Sequence, residues 1–219
     1  MTFTDEMAAA FPARNPMPAL LRQAIQWLEE QGCVRTRRDG SRYMTVHPKP
    51  EHSDLATTAF HIPVATDTAA WTASDDPAVN ERLSIFLRTG GDGSWAGVWL
   101  DDNGQQRIVH LGSGSGSVML CVLTQNTEDL LSLLAIGYDE LCWPEHFERT
   151  PDEVREADYD DGDYPPPPLL FQAYVEGTLG LTIPARASEV VVSTESMDAE
   201  ESDDPFWGWL RVVRGEWVT

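Results

Sequence analysis

Carboxylates are the most concentrated chemical groups in this sequence, and they occupy two segments, 152–163 and 195–204. The first segment ends in Asp-Tyr-Asp-Asp-Gly-Asp (158–163), which resembles the start of a calcium-binding loop. Such a loop needs a bidentate Glu at its twelfth position and a helix after it, and the prolines at 165–168 exclude that helix. We therefore interpret residues 158–163 as a solvated acidic loop rather than a calcium site.

The run Gly-Ser-Gly-Ser-Gly-Ser at 112–117 is a candidate phosphate loop. A nucleotide-binding P-loop requires a Lys after its last Gly and a helix immediately afterwards. No Lys follows Gly116, and the residues after it have the composition of a strand. The run is therefore predicted to be a flexible connection between two strands of a sheet.

Residues that commonly carry nucleophilic or metal chemistry are scattered. The histidines are His47, His52, His61, His110 and His146, and the cysteines are Cys33, Cys121 and Cys142. Their spacing matches neither a zinc-binding pattern nor a disulfide framework. Ser115 lies between two glycines, but its flanks are predicted strands, whereas a nucleophile elbow joins a strand to a helix. The sequence therefore predicts no catalytic residue, no metal site and no cofactor.

The charge balance is strongly acidic, with 36 acidic and 15 basic residues in 219 and a net charge of −21. This balance argues against binding to nucleic acid or to an anionic membrane, because both need a basic surface. No apolar run approaches the length of a membrane span, and the first residues lack the pattern of a signal peptide, so we expect a cytoplasmic protein. The acidity indicates either simple solubility or complementarity to a basic partner.

One region of the chain is basic rather than acidic. Asp39-Gly40 lies between two short alternating runs and predicts a β-hairpin at 34–46. The hairpin carries Arg35, Arg37, Arg38 and Arg42. These arginines could bind phosphate, but the net charge of the chain favours an exposed face that attracts acidic groups of the chain itself.

The apolar patterns predict an α+β fold, with a mainly antiparallel sheet flanked by helices. Helices are expected at 17–31, 75–88, 127–137 and 169–180, and strands at 95–101, 106–112 and 118–124, after a loose lead at 1–16. A short edge strand is expected at 60–64. The closing segment, 204–217, is predicted to form a short helix or strand, in which Trp207 and Trp209 either pack in the core or serve as exposed anchors for a partner.

Several of these segments, taken in order, resemble the SUKH (Smi/Knr-like) superfamily. The resemblance begins with Gly-Gly-Asp-Gly-Ser at 90–94 and the aromatic strand through Trp99, and continues with Val-His-Leu-Gly-Ser at 109–113. The helix 128–140 is similar to the family's acidic, Leu-Leu-Ala-containing helix. Phe171-x-x-Tyr174-Val175, Ile183-Pro184 and Asp204-Pro205-Phe206-Trp207-x-Trp209 are similar to the closing segments of the family.

The resemblance implies a single domain, 1–219, with a SUKH-like core at about 60–212 and a helix–hairpin extension at about 17–46. It also implies a role in binding rather than catalysis, because many members of the family are bacterial immunity proteins that neutralise a toxin. We therefore expect a non-enzymatic immunity protein whose cognate toxin is basic. The expected partner-binding acids are Asp158, Asp160, Asp161, Asp163, Glu200, Glu201, Asp203 and Asp204. Two alternatives remain open at this stage, a regulatory scaffold that docks several proteins and a hydrolase or other ligand-binding enzyme.

Overall fold

The computed structural model describes residues 1–159 and 164–215, which form a seven-stranded sheet with helices on both faces. Each strand pairs antiparallel with the next strand in sequence, so the spatial order is β1 to β7. The strands are β1 (Val34–Thr36), β2 (Arg42–Met44), β3 (Ala59–His61), β4 (Leu83–Arg88), β5 (Trp95–Leu100), β6 (Gln106–Leu111) and β7 (Leu120–Thr124). The predicted α+β fold with an antiparallel sheet is therefore confirmed.

The described residues also form nine α-helices and two short 3-10 helices. The α-helices are α1 (Phe3–Ala10), α2 (Ala19–Glu30), α3 (Pro50–Ser53), α4 (Ala65–Thr72), α5 (Pro77–Asn80), α6 (Thr127–Ile136), α7 (Pro151–Asp158), α8 (Leu169–Gly177) and α9 (Pro205–Arg214). The 3-10 helices are Pro144–His146 and Ala187–Glu189. In the part of the chain that is described, no helix combines the length and the apolar composition that a bilayer span requires.

The larger core lies on the face of the sheet that is covered by α1, α2, α6 and α8. Helix α6 is central to it, because nearly all of its side chains are buried. Asn126 caps its first turn by accepting the N–H of Asp129 at 2.8 Å, and Gly137 ends it in a left-handed conformation, with φ +100°. These are the start and the stop that the sequence predicts.

The prediction of a loose lead at 1–16 is wrong, because residues 3–10 form a helix. Thr2 caps α1 by accepting the N–H of Asp5, and Phe3 and Met7, one turn apart, are fully buried. The carboxylate of Glu29 on α2 accepts the backbone N–H groups of Phe3 and Thr4 at 2.7 and 3.0 Å. An acceptor 25 residues away in sequence therefore fixes the start of α1.

The prediction of one helix across 75–88 is also wrong. Only Pro77–Asn80 is helical, and Leu83–Arg88 is the central strand β4, which pairs with β5. The five residues from Leu83 to Leu87 are all buried, because both faces of this strand are covered. A short, continuous apolar run fits a buried strand as well as a helix, so its spacing alone does not distinguish them.

The strand expected at 60–64 exists as Ala59–His61, but it is not an edge strand. It lies between β2 and β4, and Pro63 falls beyond its end. The hairpin of β1 and β2 thus continues the main sheet through β3. Helix α2 also contributes Leu21, Ala24, Ile25 and Leu28 to the larger core, so residues 17–46 are built into the same sheet and core as the rest of the fold.

A second, smaller core lies on the opposite face, under α9 and α4. Phe206, Trp207 and Leu210 of α9 pack on Leu83, Trp99 and Leu111 of the sheet, and Trp71 of α4 borders them. The closing segment is therefore a helix, and Trp207 is a core residue, with 1% of its surface exposed.

The Gly-Ser run 112–117 connects β6 to β7, as predicted, and it is organised by an internal carboxylate. Asp92 accepts hydrogen bonds from the backbone N–H of Ser117 at 2.8 Å and from the hydroxyl of Ser113 at 2.7 Å. It also accepts from the N–H and the hydroxyl of Ser94. Partial burial opposes ionisation, but these four bonds outweigh it and lower the pKa of Asp92 to about 2. Two donors of this loop, the hydroxyl of Ser113 and the N–H of Ser117, are therefore engaged by the carboxylate of Asp92.

Asp139 lies three residues after the end of α6, and its carboxyl group is buried. Its pKa shifts in the opposite direction to that of Asp92. Burial raises the pKa of Asp139 to about 6, although hydrogen bonds from the N–H and hydroxyl of Thr57 favour the charged form. The ordinary value of 3.8 applies to the unfolded chain. Because the folded-state pKa is higher, this group adds stability at acid pH, and the contribution is lost as the pH rises through about 6.

We expect Asp139→Asn to reveal this contribution, because Asn retains an acceptor for Thr57 but cannot ionise. The free energy of unfolding of the variant, minus that of the wild type, should rise by about 2–3 kcal/mol from about pH 4 to about pH 7. Urea unfolding across that range measures it. His110 also makes the stability depend on pH, because burial lowers the pKa of this histidine to about 4. Both proteins contain His110, so subtracting the wild-type free energy of unfolding from that of the variant cancels its contribution. A difference that stays constant with pH would show that Asp139 ionises normally.

Candidate functional site

The acid-rich segment near the C-terminus lies along the free edge of β7. The N–H of Leu120 donates to the carbonyl of Glu195 at 2.7 Å, and the N–H of Val192 donates to the carbonyl of Leu123 at 3.0 Å. Met197 pairs in the same way with Val118. An edge strand presents unpaired backbone groups, so this segment satisfies them and closes that side of the sheet.

Asp204 joins this segment to both β7 and α9. One oxygen of its carboxylate accepts the N–H groups of Phe206 and Trp207, each at 3.0 Å, and thereby caps α9. The other oxygen accepts the N–H of Val122 in β7 at 2.9 Å. Asp204 therefore has a structural role in addition to its charge.

An open groove of about 650 Å³ lies between this segment and the turn that joins β5 to β6. We call it the acidic groove. The carboxylates that line it are Asp101, Asp102, Glu195, Asp203 and Asp204. An adjoining depression of about 540 Å³ shares Glu195 and Asp203 with the groove and adds Glu200 and Glu201. Acids from two distant parts of the chain thus border one continuous concave surface.

The carboxylates around this surface differ in how far their charge is already neutralised. Asp101 lies 3.3 Å from the guanidinium of Arg107, and Asp102 lies 2.8 Å from that of Arg82. Glu200, Glu201 and Asp203 are exposed, and none forms an ion pair with a basic side chain in the described part of the chain. The available negative charge is therefore concentrated at 200–203.

One cationic group of the chain already lies beside this surface. The guanidinium of Arg211 lies 4.6 Å from the centre of the Trp207 ring and donates to the carbonyl of Ala199 at 3.0 Å. This contact shows the kind of group that the surroundings of 199–207 accommodate, a guanidinium over an aromatic ring with a carbonyl oxygen within hydrogen-bond distance. The surface is chemically suited to bind cationic side chains.

The structure describes five of the eight acids that the sequence selects, and it does not bring all five together. Glu200, Glu201 and Asp203 lie together at the depression that adjoins the groove, and Asp204 is the helix cap beside them. Asp158 is the last residue of α7, where it pairs with Arg149 at 2.7 Å and with His146 at 3.3 Å. The other three acids, Asp160, Asp161 and Asp163, lie outside the described residues. The interpretation of 158–163 as a solvated acidic loop therefore also lies outside them, except at its first two residues.

Sequence reasoning missed the contribution of the β5–β6 turn. The sequence predicts strands at 95–101 and 106–112 and therefore a turn between them at Asp102-Asn103-Gly104, and the structure confirms the turn, since Asp101 accepts the N–H groups of Asn103 and Gln105. Asp101 and Asp102 also line the groove. The order of the strands could have revealed this contribution. In a sheet of consecutive antiparallel strands, the β5–β6 turn and the end of β7 lie at the same end of the sheet.

The arginines of the hairpin are engaged largely by the chain itself. Arg42 forms an ion pair with Glu6 of α1, and Arg35 donates to the carbonyls of Gly32 and Pro48. The guanidinium of Arg37 lies 4.7 Å from the centre of the Tyr43 ring. These contacts support the interpretation that the hairpin attracts groups of its own chain.

The buried thiols are poorly suited to nucleophilic chemistry. Burial raises the pKa of Cys33 to about 11, and it also raises the pKa of Cys121 and of Cys142 well above the usual range of a thiol. A protonated, buried thiol is a weak nucleophile and a weak metal ligand. Within residues 1–159 and 164–215, no group of three or more His, Cys, Asp or Glu side chains is arranged to hold a metal ion.

Comparison with known proteins finds no family model, no curated protein and no solved structure that matches this chain. The resemblance to the SUKH superfamily therefore stays a prediction from the sequence.

Proposed function

We propose that this chain is a non-enzymatic, cytoplasmic immunity protein that binds and neutralises a basic protein toxin through the acidic groove and the depression that adjoins it. The observation that carries this proposal is the group of exposed carboxylates at Glu200, Glu201 and Asp203, which have no ion-pair partner among the described residues. These three carboxylates border one concave surface and are not scattered over a flat face.

A surface of this kind favours a basic protein in two ways. Arg107 also lines the groove, but acids outnumber it, and an excess of one charge in a cleft concentrates the electric field, which steers an oppositely charged partner and raises its association rate. Lysine and arginine side chains can then pair with the carboxylates of the groove, and these pairs select partners of the right charge pattern. The segment 192–204 is held to β7 by backbone hydrogen bonds, so the acids are presented by an ordered part of the fold.

The test is protection of cells against a toxin encoded beside the gene for this chain. We expect co-expression of this chain to restore growth, and purified protein to inhibit the toxin in a one-to-one ratio, because an inhibitor that only binds is consumed stoichiometrically. Inhibition by far less than one equivalent would contradict a non-enzymatic role and would favour an enzyme. Absence of any effect on the toxin would contradict the immunity role itself.

A matched pair of variants connects protection to the groove. The first carries Glu200→Gln, Glu201→Gln and Asp203→Asn. The second neutralises three exposed acids that do not line the groove, with Glu51→Gln, Asp54→Asn and Glu176→Gln. Both lose three negative charges, so only the first should weaken protection if the groove is the binding surface.

A further inference from the structure

A second concave site lies at the end of the sheet where β4 begins. It has a volume of about 280 Å³, and we call it the apolar notch. Its lining includes Pro12, Pro63, Val64, Ala65, Pro77 and Leu83. Because β3 ends at His61 and pairs only with residues 87 and 88 of β4, the first residues of β4 have no strand beside them on that side. The notch fills part of the space where the sheet is interrupted.

The walls of the notch are held in place by hydrogen bonds between the elements that form it. The side-chain amide of Asn80 in α5 donates to the carbonyl of Ser74 at 2.8 Å, and its oxygen lies 2.6 Å from the hydroxyl of Thr72 in α4. The hydroxyl of Thr68 in α4 donates to the carbonyl of Leu83 at 3.4 Å. The notch is therefore preformed, which limits the entropy lost when it receives a ligand.

An unsatisfied polar atom marks the notch as more than a packing gap. Ser84 lines it with only 2% of its surface exposed, and its hydroxyl has no hydrogen-bond partner in the described part of the chain. Buried hydroxyl groups are nearly always bonded, so each exception needs an explanation.

The notch also bears negative charge. The exposed carboxylates of Asp75 and Glu81 belong to its lining, and neither pairs with a basic side chain of the described residues. Leu83, in the notch, is the direct cross-strand neighbour of Trp99, which lines the groove. Both side chains belong to the same apolar cluster, so the two sites lie on the neighbouring strands β4 and β5.

We propose that the apolar notch receives one aliphatic or aromatic side chain of the basic partner, flanked in the partner's sequence by lysine or arginine. The volume supports this occupant, since a cavity of about 150 Å³ already holds a benzene ring. The carboxylates of Asp75 and Glu81 favour cationic neighbours of the inserted side chain. This inference rests on the proposed function for the identity of the partner, but the notch can be tested without that partner.

The probes are the blocked tripeptides acetyl-Arg-Leu-Arg-amide, acetyl-Arg-Ala-Arg-amide and acetyl-Glu-Leu-Glu-amide. Each is titrated into the ¹⁵N-labelled full chain and followed by amide chemical shifts. We expect the Arg-Leu-Arg peptide to shift the amides of Ala65, Leu83 and Ser84, with a Kd at least about tenfold lower than that of the Arg-Ala-Arg peptide, because more apolar surface is buried. The Glu-Leu-Glu peptide should not bind detectably, because Asp75 and Glu81 repel it.

A blocking variant and its control place the site. Ala65→Trp should fill the mouth of the notch and abolish binding of the Arg-Leu-Arg peptide. Ala70→Trp puts the same side chain at an exposed position of the same helix that does not line the notch, and it should leave binding unchanged. Thermal unfolding of both variants checks that neither has lost its fold.

Two outcomes would overturn the inference. One is equal binding of the Arg-Leu-Arg and Arg-Ala-Arg peptides, which would show that charge alone attracts them. The other is unchanged binding in the folded Ala65→Trp variant. Either result leaves the immunity role untouched, since that role is decided by protection against the toxin. Conversely, peptide binding at the notch without protection would contradict the proposed function and retain the notch as a binding site.

Discussion

Replacing Trp207 with alanine is expected to lower the free energy of unfolding by about 3–5 kcal/mol, the range for large aromatic residues truncated in a core. The side chain is 1% exposed and packs between α9 and the sheet. Its indole N–H donates to the carbonyl of Ser196 at 3.0 Å, so the change also removes a bond that holds the acidic segment to α9. Urea unfolding of the wild type and the variant measures the difference.

Trp209 is the matched control for this change, because it lies two residues away on the same helix and is partly exposed. Its ring contacts those of Trp99 and Phe206, with centres 5.6 and 5.8 Å away. We expect Trp209→Ala to lower the free energy of unfolding by only about 1–2 kcal/mol. Equal losses for the two variants would contradict the placement of Trp207 in the core and Trp209 at its border.

The elements that the sequence predicts well are those whose signals are local. The β5–β6 hairpin follows from a turn of Asp, Asn and Gly between two alternating runs, and helix α6 follows from Asn126 before it and Gly137 after it. In each case, the residues that fix the backbone are within a few positions of the element. Such signals are present in the chain before any tertiary contact forms.

The elements that the sequence misses depend on distant partners. Leu83 to Leu87 have an apolar spacing compatible with a helix, and their pairing with β5 makes them a strand. Residues 3–10 form a helix whose first N–H groups bond to Glu29 of another helix. Neither partner can be identified from the local pattern, because tertiary context overrides intrinsic preference.

The candidate site shows the same division. The density of acids at 195–204 correctly indicates a negatively charged surface at Glu200, Glu201 and Asp203. It does not reveal that Asp204 bonds to three backbone N–H groups, or that Asp101 and Asp102 come from a turn about one hundred residues earlier. Charge density predicts where a field is strong, whereas the fold decides which acids remain available.

This division determines which acids to change in a binding experiment. Neutralising Asp204 would disturb the cap of α9 and a bond to β7, so a loss of binding could arise from a loss of structure. Changing Glu200→Gln, Glu201→Gln and Asp203→Asn avoids this ambiguity. With the cognate toxin, we expect this triple variant to associate about tenfold more slowly at low salt, with little change in the dissociation rate.

Salt provides the second variable, because exposed charges are screened over about 10 Å at 0.1 M ionic strength. The association rate of the wild type should fall as salt rises and should approach that of the triple variant, since the attraction that distinguishes them is progressively screened. Surface plasmon resonance with immobilised toxin across a salt series measures both rates. The control variant with Glu51→Gln, Asp54→Asn and Glu176→Gln has the same net charge as the groove variant. If it slows association equally, the overall charge of the chain steers the partner, and the acidic groove has no special part in the encounter.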